Sequence, residues 1–109
     1  MPRVQALTVV QTRDVTSRYR GFLASVLSEV APGTYVAANM NAGVRERVWS
    51  VLSVWWDDVP GGSVLMVYAD RREPSGLAVR SLGLPAIELV DVEGLHLARF
   101  TSSTSEPTA

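Results

Sequence analysis

The chain reads as a two-layer α+β sandwich, with two helices on one face of an antiparallel sheet. Three observations lead there. Two segments repeat apolar residues at the helical period, about four have the length and composition of strands, and the two kinds alternate before a C-terminal run of extended pieces. With 109 residues, 47% hydrophobic and 19% charged, the chain has material for a single core. One domain over 1–100 is expected, followed by a small polar tail, 101–109, expected to be disordered.

The first element, about Val4 to Thr12, is apolar, rich in β-branched residues and of strand length. Arg13 to Ser17 breaks it, with Thr16 as a helix cap. Tyr19, Phe22, Leu23, Val26, Leu27 and Val30 then form a helical apolar stripe, which Ala31-Pro32-Gly33 ends. A single strand, Thr34 to Ala38, is expected between the helices. Asn41 caps the second helix, whose stripe is Val44, Val48, Val51, Leu52, Trp55 and Val59. Pro60-Gly61-Gly62 stops that helix. Ser63 to Ala69 is apolar throughout and reads as the central strand, and the charged turn Asp70 to Ser75 returns the chain into Gly76 to Leu82. Ile87 to Val92 and Leu95 to Phe100 are short extended pieces around Glu93-Gly94.

Composition excludes several kinds of chemistry. The absence of cysteine rules out disulfides, thiolate zinc sites, iron–sulfur clusters and cysteine nucleophiles. The lone histidine, His96, rules out a multi-histidine metal site within one chain, and no nearby motif makes it catalytic. The longest apolar run, Val64 to Ala69, falls far short of the ~20 residues that span a bilayer, and no basic stretch precedes an apolar one. A cytoplasmic protein with no membrane partner is expected. The net charge of −1 gives no bulk signal for nucleic acid. Its distribution is uneven, because residues 1–33 carry four arginines against two acids. All ten basic residues are arginine, whose planar fork pairs with phosphate in a bidentate way.

Several residues are candidates for function. Asp14, on the loop after the first strand, is placed to hold a divalent cation or to bond its own turn. Arg18 and Arg20 lie in the first helical turn with Arg13 close by, where exposed amides favour anions; they read as a phosphate-backbone patch or as solvated charges. Gly21 costs a helix up to ~1 kcal/mol against alanine, so close packing of another element or of a phosphate backbone is expected there. Trp49 and Trp56, off the main stripe, suit a protein interface or a cover for the chain's own sheet edge. Asp70-Arg71-Arg72-Glu73 reads as self-paired surface charge.

The ordered set Arg18-x-Arg20-Gly21, Leu27-x-Glu29-Val30, Gly33-x-Tyr35-Val36, Val44-Arg45-Glu46-x-Val48-Trp49 and Asp91-x-Glu93-Gly94-Leu95-x-Leu97-x-x-Phe100 resembles the small CRISPR-associated Cas-two proteins of spacer acquisition, in their subtype I-E branch. The resemblance covers about residues 5 to 100. It implies a ferredoxin-like fold and a symmetric homodimer flanked by the Cas-one integrase. In that branch the dimer is a scaffold and ruler under prespacer duplex DNA, and the integrase performs the strand transfer. Other members of the wider family are magnesium-dependent endonucleases of single-stranded RNA or double-stranded DNA. The resemblance assigns Arg18 and Arg20 to the DNA backbone. It assigns the segment 87–100, with Leu89, Val90, Val92, Leu95, Leu97 and Phe100, to the integrase. The family's metal-binding carboxylate position holds Arg13 here, with Asp14 one residue later, so Asp14 is the remaining candidate for catalysis and for Mg²⁺. Where relatives carry basic residues before the last segment, this chain has Pro85-Ala86-Ile87, leaving Arg71, Arg72 or Arg80 to replace them.

Overall fold

In the computed structural model, residues 7–101 are described. The beginning of the first expected strand and the tail beyond 101 lie outside them. The elements run β1 (Thr8–Arg13), α1 (Ser17–Val26), β2 (Ser28–Ala31), β3 (Thr34–Ala37), α2 (Ala42–Asp58), β4 (Ser63–Ala69), β5 (Leu77–Leu82), β6 (Ala86–Val92) and β7 (Leu95–Thr101). β1 to β5 form one antiparallel sheet in the order β2-β3-β1-β4-β5, and β6 and β7 form a separate two-stranded ladder. The chain is thus α+β as expected, and the order β2-β3-β1-β4 with a helix after β1 and after β3 is consistent with a ferredoxin-like sandwich.

The stretch between the helices corrects the sequence reading. Two strands lie there, not one. The helix ends at Val26, and Leu27 turns into extended backbone with its N–H still donating to the Leu23 carbonyl at 2.8 Å. Val30, counted on the helical stripe, sits in β2 and is 60% exposed. Pro32-Gly33 makes the reversal, because proline presets the first turn residue and Gly33 takes φ +79°. Gly33 is clamped from both sides. Its carbonyl accepts from the Thr12 backbone N–H at 2.7 Å and from the Thr12 hydroxyl at 3.1 Å, and its N–H donates to the Glu29 carboxylate at 3.0 Å.

Strand alternation separates the two sheet faces. Val10, Tyr35, Val64, Met66, Tyr68 and Ala78 point to the helices and join Tyr19, Leu23, Leu27, Met40, Val48 and Leu52 in one core. The opposite face carries a registered row, Val36–Val9–Val67–Val79, of half-buried side chains across four strands. On α2, Val48 and Leu52 are buried, whereas Val44 (42% exposed) and Val59 (68%) at the ends of the expected stripe are not. Among the described residues no helix is long and apolar enough to cross a membrane.

Candidate nucleic-acid interface

Three groups of arginines stand out, and the fold keeps them apart. The first is at the start of α1. Thr16 occupies the cap position with extended backbone but makes no side-chain bond to the helix. Arg18 and Arg20 are both exposed on the following turn. Arg18 is held in place, for its guanidinium carbon lies 4.1 Å above the centroid of the Trp55 ring. Trp55 is itself wedged edge-on against Tyr19 (5.6 Å between centroids) and Phe22 (5.4 Å). A cation stacked on an indole keeps its in-plane N–H donors free for an anion while losing less freedom on binding. Arg20 lines a shallow cleft with Thr12, Asp14, Val15, Pro32 and Gly33.

Arg13 is not part of that patch. It occupies the register position of the valine-bearing face, opposite the helices, where it lines a hollow with Gln11, Ser63, Leu65 and Leu84. Asp14 follows with φ 59°, left-handed backbone that a non-glycine residue adopts under constraint. The constraint is the 60–63 loop. Gly62 (φ +71°) lies so close that a Cβ there would strike the carbonyls of Arg13 and Asp14. The cleft that Asp14 lines contains no second acid, and among the described residues no group of three or more His, Asp or Glu side chains converges for a metal. Among the described residues of this chain the donor set therefore does not fit a magnesium site, which needs several oxygen ligands.

Gly21 also departs from expectation. Among the described residues nothing lies within 4 Å of where its Cβ would be, apart from its own helix backbone, so no other described element packs there. Trp49 and Trp56 serve their own chain. Trp49 packs against the core, and the Trp56 indole N–H donates to the Gly62 carbonyl at 3.3 Å.

Arg45, Arg71, Arg72 and Arg80 form the third group, around the β4–β5 turn and the strand that follows it. Arg80 is engaged, its Nη2 donating to Glu46 Oε2 at 2.7 Å. Arg72 closes on Asp70 through Nε and Nη2, each at 3.1 Å. These bonds from Arg72 hold the Asp70 carboxyl below its ordinary pKa. Arg71 is exposed at the tip of the turn. Sequence reasoning gave Arg45 no role of its own. Its guanidinium lies 3.7 Å over the Tyr68 ring and its side chain is only 11% exposed. No sequence signal marks an arginine in the first turns of a helix as buried; the Tyr68 that covers it comes from a distant strand.

In the β6–β7 ladder, Val92 (47% exposed), Leu95 (64%) and Leu97 (47%) present apolar surface, and Leu89 is half-buried. The side chains of Val90, His96 and Phe100 lie outside the described residues. Residues 7–97 match the family model described as CRISPR-associated protein (Cas_Cas2CT1978).

Proposed function

From the premise that this chain belongs to the CRISPR-associated Cas-two family, we propose that it is a DNA-binding scaffold subunit of spacer acquisition, of the subtype I-E kind. In this role it acts in the cytoplasm as a ferredoxin-like homodimer that bridges integrase subunits of the Cas-one type and supports a prespacer duplex. One observation carries the DNA-binding part: Arg18, stacked on Trp55, and Arg20 are both exposed in the first turn of α1, whose cap makes no side-chain bond to the helix. Phosphate contacts from pre-set guanidinium groups bind a duplex without reading its sequence, which is what a subunit that accepts arbitrary foreign DNA requires.

Other features support the assembly. The Val36–Val9–Val67–Val79 row is an apolar surface suited to burial against a second copy. The β6–β7 ladder offers exposed Val92, Leu95 and Leu97 together with strand edges, both suited to an integrase docking by strand addition. The open space at Gly21, one residue after Arg20, leaves room for a phosphate backbone where the chain's own packing gives no reason for glycine.

The test is duplex binding across a salt series. Arg18→Glu with Arg20→Glu should weaken binding and reduce the salt slope by about 0.9 for each phosphate that the variant no longer neutralises. An unchanged slope in a well-folded double variant would sink the reading.

The left-handed backbone of Asp14 favours a second reading, a metal-dependent endonuclease of single-stranded RNA or duplex DNA. Here Asp14 would need a second carboxylate from a partner protomer to hold Mg²⁺. Incubating labelled RNA and duplex with magnesium or manganese, beside Asp14→Ala, decides it. Cleavage by the wild type and not by the variant supports a nuclease; cleavage by neither leaves the scaffold.

A further inference from the structure

We propose that Trp56 and Gly83 are positioning residues for partner docking: with Gly62 they lock the root of the β6–β7 ladder to the end of β1, so that the ladder leaves the sheet in one fixed direction. The inference rests on the reading of the ladder as the integrase-docking surface and adds residues that lie outside the ladder itself.

Three segments of the chain meet at Gly62. The first is the end of β1 with the loop after it, whose Arg13 and Asp14 carbonyls stand where a Gly62 Cβ would be. The second is the end of α2, from which the Trp56 indole N–H donates to the Gly62 carbonyl at 3.3 Å. The third is the connection from β5 to β6. A Cβ on Gly83 would strike that same Gly62 carbonyl and would lie 3.2 Å from Trp56 Cζ2 and 3.4 Å from the Ser63 Cα. Gly62 and Gly83 both take left-handed backbone, at φ +71° and +77°, so glycine is required twice over at each, by conformation and by space. The indole of Trp56 serves both: its N–H orients the Gly62 carbonyl, and its ring backs Gly83.

The link that starts there is short and stiff. β5 ends at Leu82 and β6 begins at Ala86, which leaves Gly83-Leu84-Pro85. Each of the three residues is restrained by a different cause. Gly83 is held by the contacts just described, Leu84 is kept out of the helical region by the proline after it, and Pro85 has its φ fixed by its ring. Among the described residues no strand pairing joins the ladder to the five-stranded sheet, and Leu89 meets β5 only across an open groove. The direction of the ladder is therefore inherited from Gly83. Gly62 also touches the loop that carries Asp14 and leads to Arg18 and Arg20, so the docking ladder and the duplex patch are referenced to one point of the chain.

The experiment measures the direction of the ladder in the full-length protein. The chain has no cysteine, so Ser50→Cys with Ala98→Cys, one exposed position on α2 and one on β7, gives the only two sites for spin labels. Labelled protein is diluted into unlabelled protein, and the intramolecular distance is read by pulsed electron resonance. The parent should give one narrow distribution. Trp56→Phe, which keeps an aromatic ring and loses the N–H, should broaden it, and Gly83→Ala should move its maximum. In the unlabelled background both variants should bind the Cas-one integrase of the same source about two- to tenfold more weakly, as pre-organisation is lost, although Val92, Leu95 and Leu97 are unchanged. If Gly83→Ala does not fold, Trp56→Phe decides. A parent distribution that is already broad overturns the proposal, as do variants that leave distance and binding as they were, or that move the ladder without weakening binding. The docking reading fails separately, if Leu95→Asp with Leu97→Asp leaves integrase binding unaltered.

Discussion

The Arg18 guanidinium carbon lies 4.1 Å above the Trp55 ring, and this stack joins the first turn of one helix to the last third of the other. Its consequence is that an exposed cation on one helix is positioned by an aromatic residue of the other. Trp55 has apolar and electrostatic work at once, packing against the core and edge-on to Tyr19 and Phe22 while supporting Arg18.

Trp55→Leu should therefore weaken duplex binding two- to five-fold, following the ~0.5–1 kcal/mol of an exposed cation–π contact. The salt slope should stay close to that of the wild type, because the charge of Arg18 is still present. Trp55→Phe, which keeps a ring under the cation, should recover most of the loss. If it recovers none, Trp55 acts through packing and not through Arg18.

Gly21 and Gly62 should respond to alanine in opposite ways. Gly21 is helical with open space around its missing Cβ, so Gly21→Ala should stabilise the protein by about 0.5–1 kcal/mol in chemical denaturation. The same variant should bind duplex more weakly if a phosphate backbone approaches there; a stabilised variant with unaltered affinity removes Gly21 from the interface. Gly62→Ala meets both a left-handed φ and two backbone carbonyls and should cost about 1–3 kcal/mol.

Which parts of this were legible in the sequence depends on where the physical signal resides. β4 was read to the residue, because a run of apolar residues paired on both edges needs no tertiary information. The β2 strand was hidden. Its four residues are all exposed and pair on one side only, with a bulge between Glu29 and Ala31, so no alternation marks them. Val26, Leu27 and Val30 happened to continue the helical spacing, and that period won over the turn signal in Pro32-Gly33. Reading those two residues as a hairpin turn would have recovered both the strand and the sheet order. At the site, Arg18 and Arg20 were visible as charges at a helix start. The Trp55 stack and the burial of Arg45 were not, since both depend on residues brought in from elsewhere in the fold.

The two helix caps offer a matched pair. Asn41 Oδ1 accepts from the Val44 backbone N–H at 2.9 Å, whereas Thr16 occupies the equivalent position with no side-chain bond. Asn41→Ala should lower unfolding free energy by about 1 kcal/mol, and Thr16→Ala should stay within ~0.5 kcal/mol of the wild type. Urea midpoints of the two variants at one pH decide the matter. Equal losses would mean that Thr16 caps α1 in solution.

Tyr19 sets an alkaline limit on stability. Its hydroxyl is buried without a hydrogen-bond partner, and burial raises its pKa above the ordinary 10.0, against the smaller opposing pull of Arg18. An acid whose folded pKa lies above its unfolded one binds its proton more tightly when folded. The contribution is complete below the unfolded value and is lost as pH rises through the folded one. Tyr19→Phe keeps the ring against Trp55 and removes the titrating group. The variant should match or exceed the wild type at pH 7 by up to about 1 kcal/mol, because no hydrogen bond is lost. Above pH ~10 its advantage should widen as the wild-type phenol ionises on unfolding. Denaturant midpoints for both proteins between neutral and strongly alkaline pH test this. A gap that stays constant across the range would show that Tyr19 titrates alike in the folded and unfolded chains.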